Sequence, residues 1–223
     1  MSTHLLETIE VATADQPTAS VIWMHGLGAD GNDFLPIVRE LDLSGCPGIR
    51  FIFPNAEPIP VTVNGGYVMR AWYDIFGMDL VRREDEAGLR KSQQSIEQLI
   101  ARENERGIAS ENIVIAGFSQ GCAMTLQTGL RHQHTLAGLL CLSGYLPIAA
   151  TLAAERSSAN QQTPIFMAHG RGDPVVSIDR AEASRDLMHG LGYSIDWHEY
   201  AMPHSVCEEE IDDIGRWLRS VLA

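Results

Sequence analysis

The stretch from Ile113 to Leu130 constrains the fold of this chain more than any other. It opens with the apolar, β-branched run Ile113–Ala116, which has the length and composition of a strand. From Cys122 onwards, apolar residues recur at helical spacing. A strand is therefore predicted to run directly into a helix, with a five-residue turn, Gly117–Gly121, between them.

That turn reads G-F-S-Q-G, the pattern of a nucleophile elbow, and it stands in the strand-turn-helix context that the motif requires. Ser119 is predicted on the strained corner, with Oγ above the sheet. Gly117 and Gly121 are expected because a side chain at either position would collide as the chain doubles back. The Gln120 N–H, unpaired at a helix N-terminus, is the predicted first oxyanion donor. The alternative is an ordinary glycine turn in which Ser119 caps the helix.

The rest of the chain alternates between strand and helix patterns, which predicts a single α/β domain over residues 1–223 with a mostly parallel sheet and helices on both faces. The predicted strands are Thr8–Val11, Val21–Met24, Arg50–Pro54, Ile113–Ala116, Leu136–Leu142, Pro164–Ala168 and Ser194–Tyr200. Besides the helix after the elbow, the predicted helices are one ending near Leu41, Glu84–Arg106, Ile178–Leu191 and Val206–Leu222. The polar stretch Glu155–Thr163 is interpreted as a surface connection.

A serine hydroxyl becomes a good nucleophile only when a base takes its proton, so the elbow demands a histidine and an orienting carboxylate. In folds built on such an elbow, the acid follows the serine and the histidine comes last. Asp173 lies just past the predicted strand Pro164–Ala168, and His204 lies just past the last strand. Asp179 competes as the acid, but its place in the first turn of a helix is explained by the helix dipole.

The remaining histidines of the C-terminal half fit structural roles better than catalysis. His198 lies inside a predicted strand, which favours a cross-strand polar contact. His169 is close to Asp173 in sequence and is interpreted as a turn residue.

The loop after the second strand, His25-Gly26-Leu27-Gly28, is glycine-rich and should end on the same sheet edge as Ser119. Glycine allows such a backbone to approach a ligand closely. The Leu27 N–H is therefore the predicted second oxyanion donor. His25 is interpreted as a residue that buttresses the turn.

Residues 55–81 show little periodicity and many aromatic and methionine side chains, which indicates an irregular insert. We interpret it as a flap lining an acyl pocket. Its predicted substrate contacts are Met69, Trp72, Tyr73 and Phe76. The alternative is a rim packed on the main core, because aromatic and methionine side chains serve core packing equally well.

A formal charge of −13 disfavours nucleic acid and anionic membrane surfaces as partners. No apolar run is long enough for a membrane helix, and the N-terminus lacks the pattern of a secretory signal. Four scattered cysteines without C-x-x-C spacing fit reduced thiols. We therefore expect a cytoplasmic protein without stable membrane insertion. A zinc site is not expected.

Four segments together resemble the carboxylesterase/acyl-protein thioesterase (phospholipase/carboxylesterase) family of α/β-hydrolases. They are His25–Gly28, Gly117–Gly121, Asp173–Val176 and Pro203–Val206, and Trp72-Tyr73-Asp74 is similar to a segment of that family's insert. The resemblance covers nearly the whole chain. It implies Ser119, Asp173 and His204 as a catalytic triad and the Leu27 and Gln120 amides as the oxyanion hole. It further implies that no metal or organic cofactor takes part, and that the chain pairs into a homodimer.

Together these features predict a serine carboxylesterase that hydrolyses small to medium acyl esters of small molecules through an acyl-enzyme. Acyl-protein thioesterase or lysophospholipase activity is the alternative, because both use the same machinery and differ in pocket shape. A non-catalytic α/β-hydrolase scaffold is a third hypothesis. The retention of all three triad residues argues against it.

Overall fold

A computed structural model describes residues 5–77 and 84–223 of the chain. In these residues the strands are β1 (Thr8–Ala12), β2 (Ala19–Met24), β3 (Ile49–Pro54), β4 (Pro58–Val61), β5 (Tyr67–Arg70), β6 (Ile113–Phe118), β7 (Gly138–Leu142), β8 (Ile165–Gly170) and β9 (Ile195–Tyr200). The α-helices are α1 (Glu86–Glu105), α2 (Gln120–Gly129), α3 (Ala149–Glu155), α4 (Ile178–Gly190) and α5 (Glu208–Leu222).

Seven of these strands form one sheet in the order β1-β3-β2-β6-β7-β8-β9. Only β1 runs antiparallel to its neighbour, and every other pair is parallel. All seven predicted strands lie in this sheet. Because parallel strands end on one edge, the loops after β2, β6, β8 and β9 emerge on the same side of the domain.

Alternate residues of the central strands enter two separate hydrophobic clusters, one on each face of the sheet. In β6, for example, Ile113 and Ile115 pack with α1, α2 and α4, whereas Val114 and Ala116 pack with α5. Helix α2 is the most enclosed of the described helices, with all ten residues buried. The predicted α/β-hydrolase architecture, a mostly parallel sheet with helices on both faces, is confirmed.

Two local predictions were wrong. The helix predicted to end near Leu41 is a short 3-10 helix, Leu35–Arg39, with a proline in its first turn. The stretch 155–163 is not a plain surface connection: it follows α3, contains a 3-10 turn at Ser158–Asn160, and buries Asn160 completely. The Asn160 side chain accepts from the Leu136 N–H and donates to the carbonyls of His132 and His134. This polar residue therefore belongs to a buried hydrogen-bond network, not to the solvent-exposed surface.

The predicted insert is more regular than its sequence pattern indicated. Strands β4 and β5 form an antiparallel hairpin closed by a 3-10 turn at Thr62–Asn64. The chain then continues to residue 77, while residues 78–81 of the predicted insert lie outside the described residues. Prolines at the first and third positions of β4 disguised the strand, because proline is rare inside sheets and tolerated at edges.

Helix α5 carries an unusual buried carboxyl group in its first turn. Glu210 has no exposed surface, and neither of its carboxyl oxygens has a hydrogen-bond partner within the described part of the chain. Burial raises the pKa of this carboxyl to about 8, and the nearby Cys207 N–H offsets only part of that effect. Glu210 is therefore neutral in the folded protein at neutral pH.

This raised pKa predicts a specific pH dependence of stability. Between about pH 4.5 and pH 8 the unfolded chain ionises Glu210 while the folded chain does not, so the free energy of unfolding falls as pH rises. Glu210→Gln should remove that loss and stabilise the protein by about 2–5 kcal/mol at about pH 9. Urea denaturation across this pH range measures the effect. The exposed neighbour Glu209 provides the control, because Glu209→Gln changes the same charge without relieving a buried group. Equal pH dependence in both variants would contradict the assignment.

Among the described residues, none of the helices is both long and apolar enough to cross a membrane.

Candidate active site

The elbow residue Ser119 has the backbone geometry that its motif predicts. It lies at φ 56° and ψ −115°, between the end of β6 and the start of α2. This conformation is strained for a residue with a side chain, and such strain concentrates at functional sites. A β-carbon at Gly117 would overlap the Gly121 carbonyl, and one at Gly121 would overlap the Met24 carbonyl. The elbow therefore requires both glycines, as the sequence predicted.

The loop after β2 comes close to the elbow because the two strands are neighbours. Met24 of β2 pairs with Gly117 of β6, so the loops that follow these two strands leave the sheet at the same level. A β-carbon at Gly26 would lie 3.5 Å from the Ser119 Cβ. Leu27 is the next residue. Within residues 5–77 and 84–223, neither the Leu27 N–H nor the Gln120 N–H donates a hydrogen bond to the protein.

His25 buttresses this loop, as its position in the sequence indicated. It is 1% exposed, and its Nδ1 lies 2.6 Å from the Gly26 carbonyl. Its Nε2 accepts from the Ala56 N–H at 3.1 Å, which fixes the Nδ1-protonated tautomer. Burial lowers the pKa of His25, so the neutral ring is favoured. Both ring nitrogens are committed to the backbone and take no part in proton transfer.

The structure brings Asp173 and His204 into direct contact. They follow β8 and β9, which pair in parallel up to Gly170 and Tyr200. His204 Nδ1 lies 2.6 Å from Asp173 Oδ2. The other carboxylate oxygen, Oδ1, accepts from the backbone N–H groups of Val175 and Val176 at 2.8 and 2.9 Å. The Asp173 side chain has no exposed surface and is held from both oxygens.

The His204 ring reaches the elbow itself. Its centroid lies 4.7 Å from the ring of Phe118, the residue immediately before Ser119. The imidazole keeps a partly exposed side chain, whereas its carboxylate partner is enclosed. The competing acid, Asp179, lies in the first turn of α4, where the helix dipole accounts for it.

The turn interpretation of His169 was wrong. It belongs to β8, is fully buried, and places Nε2 at 2.8 Å from the Val176 carbonyl and 3.4 Å from Asp173 Oδ2. Sequence reasoning missed the approach of His169 to Asp173. The signal that could have indicated it is the position of His169, four residues before Asp173 and near the end of the strand that leads to it. His198 contacts Asp196 within its own strand at 2.9 Å, and its cross-strand contact is a ring stack on Phe166.

The four predicted substrate contacts of the insert occupy different environments. Trp72 and Tyr73 are each 3% exposed and belong to the main hydrophobic cluster, as the alternative interpretation of the insert expected. Met69 approaches the loop after β2, with its Sδ 3.5 Å from where a Gly28 β-carbon would lie. Phe76 is 43% exposed.

Two cavities border the Asp173–His204 pair, one lined by His204 and the other by Asp173. One, of about 350 Å³, is lined by His204, Phe118 and a set of mostly apolar residues with two carboxylates: Asp33, Phe34, Pro36, Ile37, Glu40, Ser205, Val206 and Ile211. The other, of about 630 Å³, is lined by Asp173 and by an equal mixture of apolar and polar residues: Leu146, Pro174, Val175, Val176 and Ala183, with Glu84, Ser177, Asp179 and Arg180. Together the two cavities offer space for the two halves of an acyl compound next to the pair.

Among the described residues, no group of three or more histidine, cysteine, aspartate or glutamate side chains is arranged to hold a metal ion.

Comparison with known proteins agrees with this architecture. The chain matches the family model described as Phospholipase/Carboxylesterase over residues 6–222. Acyl-protein thioesterase 1 of Gibberella zeae is 39% identical over 100% of this chain and 98% of its own length. Acyl-protein thioesterase 1 of Neurospora crassa is 42% identical over 90% of this chain and 86% of its own length.

Solved structures show the same likeness. The crystal structure of Arabidopsis thaliana SOBER1 superposes with a TM-score of 0.87 at 29% identity, over 92% of this chain and 99% of that one. This chain belongs to the phospholipase/carboxylesterase family of α/β-hydrolases and is a serine hydrolase.

Proposed function

We propose that this protein hydrolyses acyl thioesters, and with them acyl esters, through a covalent acyl-enzyme formed on Ser119. The observation that carries the proposal is the buried Asp173 carboxylate bound to His204, whose ring lies against the elbow residue Phe118. The thioester preference is supported by relatives named acyl-protein thioesterase 1, which cover most of this chain.

In the proposed reaction, His204 takes the proton of the Ser119 hydroxyl as Oγ attacks the acyl carbonyl. Asp173 holds the imidazole in the tautomer that can accept this proton and stabilises its charged form. The Leu27 and Gln120 amides bind the oxyanion. His204 then protonates the departing thiol or alcohol, and a water molecule, activated by the same histidine, hydrolyses the acyl-enzyme and regenerates Ser119.

The two cavities suggest how the substrate is oriented. The leaving group must lie beside the residue that protonates it, so we place it in the 350 Å³ cavity that His204 lines. The acyl chain then occupies the larger cavity beside Asp173, against its apolar lining residues Leu146, Pro174, Val175, Val176 and Ala183. We keep Met69 and Phe76 as further substrate contacts, because Met69 approaches the loop after β2 and Phe76 is exposed and borders a small pocket with Glu84 and Arg180. We assign Trp72 and Tyr73 to the core.

A matched set of substrates tests this function. Oxyesters and thioesters of the same acyl group, in graded chain lengths, should all be hydrolysed, with the thioester giving the higher kcat/KM. A lysophospholipid with the same acyl group tests the remaining alternative. Hydrolysis of oxyesters alone would overturn the thioester assignment, and no turnover of any member would overturn the function.

The carboxylates of the 350 Å³ cavity predict discrimination between thioesters. Asp33 and Glu40 line it, and both are exposed, so an anionic leaving group meets like charge there. The acyl thioester of uncharged N-acetylcysteamine should show a kcat/KM about tenfold above that of the matching coenzyme A thioester at low salt. Added salt should reduce this difference in kcat/KM.

Asp33→Asn and Glu40→Gln should each reduce this discrimination. Asp15→Asn and Glu111→Gln are matched controls, because both residues are exposed carboxylates outside the cavity. Equal kcat/KM for the two thioesters, or equal effects of cavity and control variants, would place the leaving group elsewhere.

Two further expectations belong to this proposal. A cytoplasmic location is supported by the four cysteines, all of which are unpaired. The homodimer stays a prediction that light scattering can test.

A further inference from the structure

One short segment of the insert, residues 70–74, forms hydrogen bonds to both of the loops that carry the proposed oxyanion donors. Its central residue, Trp72, donates its indole N–H to the His25 carbonyl at 2.9 Å. Its backbone N–H donates to Gln120 Oε1 at 3.0 Å, and Gln120 Nε2 donates in turn to the Tyr73 carbonyl at 3.0 Å. One bond therefore ends on the loop after β2, and two end on the elbow.

These bonds reach the residues that matter for the oxyanion hole. His25 lies two residues before Leu27, and its carbonyl fixes the orientation of the first peptide group in that loop. Gln120 is itself the residue whose backbone N–H is the second proposed donor. A fourth bond, from the Gly28 N–H to the Arg70 carbonyl at 2.8 Å, holds the far side of Leu27 to the same segment.

The bridging segment is anchored independently of the two loops. The Trp72 carbonyl accepts from the Ser92 hydroxyl of α1, and the Asp74 N–H donates to Asp85 Oδ2 at 3.0 Å, at the N-cap of α1. Tyr73 hydroxyl lies 2.8 Å from the Tyr145 hydroxyl. The segment is thus tied to the body of the domain and can serve as a fixed reference for both loops.

Burial makes these hydrogen bonds effective constraints. Trp72 and Gln120 are each 3% exposed, so water cannot readily replace their polar partners. A primary amide that both accepts and donates along one backbone segment fixes its own side chain orientation as well. We propose that Trp72 and the Gln120 side chain are positioning residues, which together hold the Leu27 and Gln120 amides at the spacing needed to bind one oxyanion.

This inference rests on the proposed function, because it concerns the same oxyanion hole. It adds a role for the Gln120 side chain, distinct from its backbone N–H, and it gives Trp72 a task other than contact with an acyl chain. Catalysis by preorganised donors depends on their distance from the developing charge, and a displacement of about 1 Å can cost about 10²-fold.

The test compares variants that remove bridging bonds. Gln120→Met keeps the size of the side chain and loses both amide bonds, while Trp72→Phe keeps an aromatic ring and loses the indole N–H. Each should lower kcat by about 10–100-fold with KM within about threefold, because substrate binding is retained while oxyanion binding is impaired. Affinity for a trifluoromethyl ketone, which forms an oxyanion when Ser119 adds to it, should fall by a similar factor.

The chain offers a matched control for each substitution. Gln127 lies in the same helix, is fully buried, and donates its side chain amide to Gln93 Oε1 at 2.9 Å, far from the elbow. Trp197 in β9 donates its indole N–H to Glu199 Oε1 at 2.9 Å. Gln127→Met and Trp197→Phe should keep kcat and ketone affinity within about twofold of the wild type, although each loses one side-chain hydrogen bond.

The outcomes separate the positioning role from mere stability and from the proposed function. A kcat within twofold of the wild type in both Gln120→Met and Trp72→Phe would overturn the inference. Equal kcat losses in the control variants would also overturn it, because they would indicate a general effect of destabilisation. A double variant that loses less than the product of the single losses would support a shared role. If the wild type neither turns over nor binds the ketone, the proposed function fails instead.

Discussion

Ser119→Ala is expected to lower kcat for ester and thioester hydrolysis by about 10⁴-fold or more. The substitution removes the oxygen that would form the acyl-enzyme, while the oxyanion donors and cavities stay in place. Alanine keeps the β-carbon that causes the strain at φ 56°, so we expect little change in the unfolding midpoint. Initial rates with a short-chain p-nitrophenyl ester and its thioester analogue measure the effect.

A second strained serine provides the control. Ser143 follows β7, the strand next to the elbow strand, and has φ 48° with a fully buried side chain. Ser143→Ala therefore removes a hydroxyl from a similar backbone one strand away, and it should leave kcat within a few-fold of the wild type. A Ser119→Ala enzyme with kcat within tenfold of the wild type would rule out Ser119 as the nucleophile.

Asp173→Asn should reduce kcat by about 10⁴-fold, the second largest effect that we expect. The amide oxygen of asparagine can still accept from the Val175 and Val176 N–H groups. Its NH₂ group would then face His204 Nδ1 in place of Oδ2, which lies 2.6 Å away in the wild type. His204 Nδ1 would have to accept that bond, so Nε2 would carry the proton and could not take one from Ser119.

The alternative acid, Asp179, provides the control for this experiment. Asp179→Asn changes the same charge in the first turn of α4, where the carboxylate does not touch His204. It should retain most of the activity, and circular dichroism should show both variants folded. A large loss in Asp179→Asn, with Asp173→Asn close to the wild type, would reverse the assignment of the acid.

The elbow was predictable from sequence because its requirements are local. A strand, a helix and two glycines that avoid specific collisions lie within about eighteen residues, and the pattern of Ile113–Leu130 shows them all. The sheet was predictable for a related reason: its strands are buried on both faces and read as continuous apolar runs. The order of Asp173 and His204 after successive strands then placed them on one edge.

Features that depend on distant partners were not predictable in the same way. The sequence pointed to the backbone of Gln120, but its side chain binds residues 48 and 47 positions away, which no local pattern reveals. Glu210 looked like an ordinary acid at a helix N-terminus, whereas packing in the fold buries it completely. The hairpin β4–β5 was disguised by its prolines, and the aromatic residues of the insert divided between core and surface for reasons of tertiary packing.

Labelling with a fluorophosphonate probe, followed by peptide mass mapping, tests the central claim most directly. The probe reacts covalently with an activated serine, so a single adduct on Ser119, formed at the rate at which thioester hydrolysis is lost, is the predicted result. Asp173→Asn should label far more slowly. An adduct on a different serine, or continued turnover of substrate by protein that carries no adduct, would contradict the assignment of Ser119 as the nucleophile.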